Sequence, residues 1–252
     1  MIAALAGHRA QRITLLDLGL FDVGGKRTIG IPGYLIETDR GARLLVDTGL
    51  PPDYATDPAA ADARDGLSAF GRPLAYQHHH TLPGALARLA LTPADIDLLI
   101  LTHSHIDHAG ALPLLSCPMV LTARERAEPR PLWHGTARPL AWPETQCHTI
   151  TTEIRLCDGL TLLPTPGHTP GHLSLLVEPP GQRPLILAAD AINRATEPAE
   201  GFPDAMDPAS AARSAARLLA LQAESGAHLL YGHDPAQWAT LPKAPLPLLP
   251  PG

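Results

Sequence analysis

Cysteine is scarce in this chain of 252 residues, which contains three, and no two of them form a C-x-x-C pair. Cys117, Cys147 and Cys157 stand far apart in the sequence, a spacing that indicates neither a zinc ribbon nor a disulfide framework. An odd and low number of cysteines is typical of a reducing compartment, so we expect the protein to be cytoplasmic.

Excess positive charge is missing as well, since 25 acidic residues outnumber 19 lysines and arginines and give a formal net charge of -6. The chain therefore has no basic footprint for nucleic acid or for an anionic membrane, and we expect neither partner. The apolar stretch at residues 1–8 has no basic region before it and is too short for a signal core or a membrane span. With 45% hydrophobic residues, the composition indicates a soluble globular protein.

The length suits one large domain, and we assign residues 1–240 to it. Residues 241–252 contain five prolines and predict an extended, partly disordered tail. The sequence does not determine the oligomeric state, although its apolar start and its long loops are compatible with a homodimer.

Short apolar runs bounded by turn residues predict the strands of an α/β fold. We place strands at residues 12–18, 31–38, 43–49, 97–102, 118–122, 161–165, 173–178, 184–189 and 227–231. Helical spacing of leucines predicts a helix over residues 82–91, and a short helix is expected over residues 110–115. Asp207-Pro208 predicts the start of a further helix that ends at Gly226.

Two proline-rich segments, residues 51–77 and 123–148, predict irregular structure. Loops of that length in compact domains are usually functional or disordered. The second contains Trp133 and Trp142, which is consistent with a loop folded over a pocket or with a surface loop pinned by its aromatic side chains. The first leads into His78-His79-His80, for which a contact with substrate or near the metal competes with a solvated loop.

One stretch places three imidazoles and a carboxylate within six residues, His103-Ser104-His105-Ile106-Asp107-His108. Imidazole nitrogens and carboxylate oxygens are ligands of zinc, and they also suit iron, manganese and cobalt. His103 and His105 point to the same side of an extended backbone because they are two residues apart. Asp107 and His108 follow after the chain has turned and can face a second point, so the spacing suits two divalent metal ions better than one.

Three more candidate ligands, His168, Asp190 and His233, each lie at or just past the end of an apolar strand. Scaffolds of the α/β class build sites from side chains that several strand ends deliver to one edge of a sheet. The division that follows gives one ion His103, His105 and His168, gives the other Asp107, His108 and His233, and leaves Asp190 as a bridge. A water that bridges two cations has a lowered pKa and supplies hydroxide at neutral pH, which predicts a hydrolase.

The motif H-x-H-x-D-H followed by a separate His, Asp and His resembles the metallo-β-lactamase superfamily, and Leu45-Val46-Asp47-Thr48-Gly49 fits that resemblance. It implies an αββα sandwich of the metallo-β-lactamase type over about residues 12–240, with the metals at one edge. Four segments look more closely like the N-acyl-homoserine lactonases, namely Thr81-Leu82-Pro83, residues 165–172, Ala189-Asp190-Ala191 and Tyr231-Gly232-His233-Asp234. The resemblance implies a quorum-quenching enzyme whose substrate is a small-molecule lactone.

The chain departs from those lactonases at one position. They place a tyrosine three residues after the bridging aspartate, where its phenol supports the substrate carbonyl, and this chain has Asn193. An amide differs in length and direction, which favours a different lactone or ester. Residues 77–84 are also similar to 4-pyridoxolactonase, a relative that opens an aromatic lactone.

The expected reaction is attack of a metal-bridging hydroxide on the lactone carbonyl, with one metal polarising the carbonyl oxygen and the other holding the leaving ring oxygen. Asp107 takes the proton of the attacking water and delivers it to the leaving alkoxide. Asn193 donates a hydrogen bond to the oxyanion. Asp47 and His172 either orient the ligating imidazoles or have plain turn and packing roles.

Other functions share this ligand set. A glyoxalase II-like thioesterase needs a basic site for the glutathione carboxylates, and the sequence has no cluster of lysines and arginines to form one. A phosphotriesterase would use the same metals on a phosphorus centre, whereas a carboxylate bridge such as Asp190 is not the arrangement of the β-lactamases. The non-enzymatic alternative is a metal-binding ligand sensor, which the intact ligand set disfavours.

Overall fold

The structure, a computed structural model, describes residues 5–248. Its strands are β1 (Ala10–Val23), β2 (Arg27–Thr38), β3 (Arg43–Val46), β4 (Arg72–Leu74), β5 (Leu98–Ile100), β6 (Met119–Thr122), β7 (Cys147–Ile150), β8 (Ile154–Cys157), β9 (Leu160–Pro164), β10 (Leu173–Val177), β11 (Leu185–Ala189) and β12 (His228–Tyr231). Its α-helices are α1 (Pro58–Asp65), α2 (Leu82–Ala87), α3 (Ile106–Ala109), α4 (Ala123–Arg126), α5 (Glu197–Glu200), α6 (Pro208–Ser225) and α7 (Pro235–Thr240). Short 3-10 helices lie at Pro52–Ala55, Leu67–Ala69, His78–His80, Pro93–Asp95 and Leu112–Leu114.

The strands form two sheets. One has seven strands in the order β4-β1-β2-β3-β5-β6-β7, and the other has five in the order β12-β11-β10-β9-β8. In the first sheet β1, β2 and β3 are antiparallel neighbours, whereas β3, β5, β6 and β7 run parallel. In the second sheet β11 and β12 are the parallel pair. Parallel neighbours end at the same edge of a sheet, so the loops after β3 and β5 emerge together, and so do those after β11 and β12.

Alternating side chains separate the apolar interior into three cores. In β3, Leu44 and Val46 belong to the core between the two sheets, whereas Leu45 belongs to the core between the first sheet and its helices. Helix α6 covers the outer face of the second sheet, where Leu218 packs with residues of β11 and β12. The layers therefore run helix, sheet, sheet, helix, and this confirms the predicted αββα sandwich.

Most predicted elements are confirmed, and α6 has the predicted ends. The side chain of Asp207 accepts a hydrogen bond of 3.1 Å from the backbone N–H of Ser210, and Pro208 takes the first helical position. Gly226 ends the helix in a left-handed conformation with φ of 68°, which a residue without Cβ adopts at little cost.

The prediction of an irregular segment over residues 51–77 was wrong in part, because it contains α1 and β4. Helix α1 begins after Asp57, whose side chain caps Ala60 N at 3.0 Å. The short helix expected over residues 110–115 was also misplaced, since α3 already begins at Ile106, inside the histidine motif, and only a 3-10 turn follows at Leu112–Leu114.

The tail runs along β1 as far as the structure describes it. The backbone N–H groups of Ala244 and Leu248 donate to the carbonyls of Leu15 and Ile13 at 2.8 and 2.9 Å. Ala244 and Leu248 are both buried, so residues 241–248 pack on the fold, and the remainder of the predicted tail lies outside the described residues. None of the helices among residues 5–248 combines the length and the apolar character that crossing a membrane requires.

Candidate metal centre and adjoining cavity

The seven predicted ligands lie at one edge of the two sheets, in the segments that follow β5, β9, β11 and β12, and two of them, Asp107 and His108, lie in α3. His103 and His105 follow β5, His168 follows β9, Asp190 follows β11 and His233 follows β12. Their ligand atoms fall into three groups, each with all its atoms within 4.8 Å of one another. The first group is His103, His105 and His168, the second is Asp107, His108 and His233, and the third, which shares one histidine with each of the other two, is His103, His108 and Asp190.

Three imidazole nitrogens converge in the first group. His105 Nδ1 lies 3.1 Å from His103 Nε2 and 3.0 Å from His168 Nε2. A tetrahedral zinc ion with bonds of about 2.0–2.1 Å holds its ligand nitrogens about 3.3 Å apart. The three nitrogens are therefore spaced as the ligands of one ion.

Asp190 lies between the first group and the second, and its two oxygens face different histidines. Oδ1 is 3.3 Å from His108 Nε2 and 3.3 Å from His233 Nε2. Oδ2 is 3.2 Å from His168 Nε2 and 4.0 Å from His103 Nε2. Asp107 Oδ2 completes the second group, 3.4 Å from His233 Nε2 and 3.6 Å from His108 Nε2. One carboxylate thus presents an oxygen to each of two ligand groups.

The set of predicted ligands fits divalent cations because two of its buried polar atoms have no hydrogen-bond partner among the described residues. His108 Nε2 and Asp190 Oδ1 are buried and accept or donate no hydrogen bond within the described residues. A buried polar atom without a partner costs free energy, and a cation would satisfy both atoms at once. The cluster is therefore able to bind metal ions.

Electrostatics divides the same residues into two classes. Burial lowers the pKa of His105 to about 3 and lowers the pKa of His168 and His103 as well, so these imidazoles are neutral, as metal ligands must be. Burial also opposes the charge of His233, but Asp190 and Asp107 outweigh it and raise its pKa to about 10.

Carboxylates raise the pKa of His108 in the same way, against the effect of burial. Burial disfavours the ionised forms of Asp107 and Asp190, yet the charges of His108 and His233 hold the pKa of both carboxyls below the usual range. Without a cation, the second group thus attracts protons to compensate its carboxylates, and these are the positive charges that a metal ion would replace.

Asp47 and the backbone of β2 fix two of the ligand rings. Asp47 Oδ2 lies 2.8 Å from His108 Nδ1, and both oxygens of Asp47 accept from Thr102, at 2.8 Å from N and 2.7 Å from Oγ1. The carbonyl of Gly30 accepts from His233 Nδ1 at 2.9 Å. In each ring the bonded Nδ1 leaves Nε2 free to face the cluster, which is how outer hydrogen bonds orient metal-binding imidazoles.

His172 has a different contact from the one predicted. Its Nε2 accepts a hydrogen bond of 3.0 Å from the backbone N–H of Asp190, and Thr165 Oγ1 lies 2.9 Å from its Nδ1. His172 therefore holds the main chain of Asp190, and among the described residues it forms no hydrogen bond with a predicted ligand imidazole. Ala189, just before that aspartate, has φ of 46°, an uncommon conformation for a residue with a Cβ.

Asn193 lies beside the cluster and is buried. Its Nδ2 donates to Glu197 Oε1 at 3.3 Å, its backbone N–H donates to Glu197 Oε2, and its Oδ1 has no partner within the described residues. The sequence predicts that the Asn193 amide donates to the oxyanion, and one of its two N–H groups is already engaged by Glu197. The backbone carbonyl of Asn193 accepts from His233 N at 2.9 Å, which ties the loop after β11 to the loop after β12.

A cavity of about 250 Å³ opens onto five of the seven ligands: His105, Asp107, His168, Asp190 and His233. Its wall is mostly apolar, with Phe21, Phe70 and Trp133 among the lining residues, and Arg27 and Arg194 supply polar parts. Both arginines are paired, Arg27 with Asp204 at 3.3 Å and Arg194 with Glu200. A concave, largely apolar pocket beside a polar centre suits a small molecule with one reactive polar group.

The two tryptophans of residues 123–148 differ. Trp133 lines the cavity, and its backbone pairs with the histidine motif through Trp133 N to Ser104 O at 2.8 Å and Ile106 N to Trp133 O at 3.0 Å. Its indole donates to Asp65 of α1 at 2.8 Å. Trp142 lies outside the cavity wall and donates to the carbonyl of Glu128 at 2.7 Å. Trp133 thus lies in a loop folded over a pocket, which was one predicted alternative, whereas Trp142 pins its loop from outside the cavity, as in the other alternative.

His78-His79-His80 is not part of the cluster or of the cavity wall among the described residues. It forms the 3-10 turn before α2, where His80 Nδ1 accepts from Gln77 N at 3.2 Å and its ring stacks on Tyr76 with centroids 5.9 Å apart. The contacts of His80 are therefore made within the local turn and with Tyr76.

Glu125 was not singled out from the sequence. It lies in α4, its side chain is fully buried, and it hydrogen-bonds both the histidine motif and the loop that carries His168. A single glutamate between two arginines gives no signal of this in the sequence, where it is indistinguishable from a residue of a solvated helix.

Three features together define a class of fold that is able to bind metal ions. They are the αββα sandwich, the cluster of histidines and aspartates at its edge, and the cavity over that cluster. The chain belongs to the metallo-β-lactamase superfamily, whose family model matches residues 30–233. This confirms the family that the sequence motifs indicated.

Individual relatives agree with the branch predicted from the sequence. The chain is 32% identical over 162 residues to an N-acyl homoserine lactonase of Bacillus sp., an alignment that covers 63% of this chain and 62% of that protein. It is 30% identical over 238 residues to the N-acyl homoserine lactonase AttM of Rhizobium radiobacter, with 88% of both chains covered. Its fold matches, with a TM-score of 0.82 and 23% identity, a solved N-acyl homoserine lactone hydrolase with the product N-hexanoyl-L-homoserine at its catalytic metal centre. That match covers 95% of this chain and 99% of the other.

Proposed function

We propose that the protein is a dinuclear zinc hydrolase that opens the ring of N-acyl-homoserine lactones and so acts in quorum quenching. The observation that carries this proposal is the position of Asp190, whose two oxygens face two separate ligand groups at the base of an apolar cavity. Relatives that are named as lactonases at about 30% identity support the substrate class. Histidine and carboxylate ligands favour zinc among the divalent ions.

The residues of the chain have distinct parts in this proposal. His103, His105 and His168 would hold one ion, Asp107, His108 and His233 the other, and Asp190 both. When bound, the two ions lower the pKa of water and stabilise negative charge on a carbonyl oxygen. Asp47, through His108, and the Gly30 carbonyl, through His233, keep the ring nitrogens aimed at the cluster.

Asp107 is the proton carrier in this proposal. Its side chain is 23% exposed, against 7% for Asp190, and it lines the cavity. In the metal-free protein the charges of His108 and His233 hold the pKa of its carboxyl low, and a bound cation would hold it low in their place. The carboxylate is therefore ionised and able to accept the proton that the attacking water loses. It then returns that proton to the ring oxygen as the ring C–O bond breaks, which leaves a hydroxyl and a carboxylic acid, and the acid releases its remaining proton to solvent to become a carboxylate.

Asn193 positions the substrate in the proposal. It lines the cavity next to Asp190, and Glu197 engages one of its side-chain N–H groups. Its second side-chain N–H is not engaged by Glu197 and can donate to the carbonyl of an N-acyl lactone.

A second candidate substrate is an aromatic lactone of the kind that 4-pyridoxolactonase opens. The aromatic side chains of Phe21, Phe70 and Trp133 on the cavity wall favour it, because they can stack on a planar ring. The same ligand set would serve both substrates, so the choice rests on the cavity.

The experiment is metal analysis of the purified protein combined with pH-stat hydrolysis of a substrate panel. The panel contains short- and long-chain N-acyl-homoserine lactones, an aromatic lactone, S-lactoylglutathione and a phosphotriester. We expect two zinc ions per chain and rapid proton release from an acyl-homoserine lactone that a chelator abolishes. Turnover confined to the thioester or the phosphotriester would overturn the substrate, and absence of both metal and turnover would favour a ligand-binding module.

A further inference from the structure

Glu125 is a buried carboxylate whose four partners are all uncharged. Oε1 accepts from Ser104 N at 2.8 Å and from Ser104 Oγ at 2.6 Å. Oε2 accepts from Thr169 Oγ1 at 2.8 Å and from Gly171 N at 3.2 Å. A buried carboxylate without a cation is stable only when its oxygens are well supplied with donors, and this one receives two at each oxygen.

The two oxygens connect two different loops. Ser104 stands between His103 and His105, Thr169 directly follows His168, and Gly171 lies two residues beyond Thr169. Each histidine of the first group, called the three-histidine group below, is therefore the sequence neighbour of a residue that hydrogen-bonds Glu125. The residue that caps helix α4 adds a further link, because Thr122 Oγ1 donates to the carbonyl of Gly171 at 2.6 Å.

We propose that Glu125 is a positioning residue that sets the distance between the His103–His105 pair and His168, and thereby the affinity of the three-histidine group for a divalent cation. This inference rests on the proposed metal-binding function. Outer hydrogen bonds that orient metal ligands typically change metal affinity about 10–100-fold when they are removed.

The chemistry requires a carboxylate at this position. Ser104 N and Gly171 N are backbone donors, one on each side, and neither can rotate to become an acceptor. Glutamine would direct its NH₂ group at one of them in either orientation of the amide, so one loop would lose its contact. Glycine at 171 belongs to the same arrangement, since a Cβ there would lie 2.1 Å from Glu125 N.

The test compares the affinity for Co²⁺, measured by competition with a chromophoric chelator, in the native protein and in the Glu125→Gln variant. We expect binding at the three-histidine group to weaken about 10–100-fold, together with a change in the visible absorption bands of the bound Co²⁺. Leu218→Ala is the control, because Leu218 is fully buried in the core under α6, away from both loops. It should lower the thermal midpoint and leave the Co²⁺ affinity unchanged.

Thr169→Val is the milder second variant in case Glu125→Gln does not fold. It keeps the shape of the side chain and removes one donor to Oε2, and we expect the affinity to weaken by several-fold. Co²⁺ affinity within twofold of native in the folded variants would overturn the role of Glu125, while the native protein still binds metal. A native protein that binds no Co²⁺ at all would overturn the proposed function and this inference with it.

Discussion

The indole nitrogen of Trp133 donates a hydrogen bond of 2.8 Å to the carboxylate of Asp65. This contact joins the two segments for which the sequence predicted irregular structure, since Asp65 ends α1 and Trp133 lies in the loop after α4. Arg64 donates to both oxygens of Asp65, at 2.8 and 2.7 Å, and also pairs with Asp53. The cavity wall is thus anchored by a buried carboxylate at some distance from the metal ligands.

Trp133→Phe should retain the aromatic wall and lose that anchor. A hydrogen bond to a charged group contributes about 1.5–3 kcal/mol, so we expect a loss of that order in the free energy of unfolding and a raised KM for the lactone. Trp142→Phe is the matched control, because its indole also donates one hydrogen bond, to the carbonyl of Glu128, but Trp142 does not line the cavity. Equal KM values in the two variants would show that the anchor does not shape the substrate site.

Asp190→Asn should reduce the metal content from two ions to one. An amide offers one oxygen in place of two and carries no charge, so it cannot serve both ligand groups. Removing an outer hydrogen-bond partner of a metal ligand typically costs about 10–100-fold, and we expect the loss of a shared ligand to lower turnover by at least that much, measured with metal analysis on the same sample. Asp207→Asn is the control, since asparagine also caps helices and Asp207 lies at the start of α6. Two ions per chain in Asp190→Asn would argue against the bridge.

Asp107→Asn should keep the fold and slow catalysis. Loss of a positioned proton carrier typically lowers kcat about 10²–10⁴-fold. Because Asp107 also belongs to the second ligand group, kcat is measured at saturating zinc and metal content is determined in parallel. A variant that is fully loaded and as active as native would exclude the proton-transfer role.

Metal loading should release protons, and its affinity should rise with pH. In the metal-free protein the carboxylates of Asp190 and Asp107 outweigh burial and raise the pKa of His233 to about 10, above its ordinary 6.5. An incoming cation must displace this proton at neutral pH. Calorimetric titration of zinc in two buffers of different ionisation enthalpy measures the protons released, and a value of zero at pH 7 would contradict the prediction.

The same shift gives the metal-free protein a pH-dependent stability. Because the folded pKa of His233 lies above the unfolded one, its charged form stabilises the fold fully below pH 6.5, and this contribution is lost as the pH rises towards 10. Thermal midpoints of the chelator-treated protein should therefore decrease across that range. A thermal midpoint that increases with pH over the same range would contradict this prediction.

The sandwich was predictable because its strands are apolar and end in recognisable turns, and because each ligand follows such a strand. The three ligand groups contain the same residues that the motif spacing indicated. Their metal-binding role stays a prediction, as does that of Asn193. Helix α1 was missed although Asp57-Pro58 is a good start signal, since the surrounding prolines and alanines show little apolar periodicity.

Contacts between distant segments account for what the sequence did not reveal. His172 was expected either to orient ligand imidazoles or to have a turn and packing role. Its ring does lie beside that of His103, with centroids 5.1 Å apart, but it accepts its hydrogen bond from the main chain of Asp190, and no side-chain pattern encodes a backbone contact. Glu125 and Asp65 resemble ordinary helix-surface acids in the sequence, and only the fold shows that each is buried. Conversely, the triple histidine has strong ligand chemistry and lies outside the cluster.

The C-terminal tail has a consequence for the order in which the protein is completed. The N–H groups of Ala244 and Leu248 occupy carbonyls of Leu15 and Ile13 in the first strand, on residues that pair with β2 through their other edge. During synthesis the first strand leaves the ribosome well before the residues that supply these two N–H groups. All seven metal-ligand candidates lie between them in the sequence and are therefore synthesised before the edge of β1 can be closed.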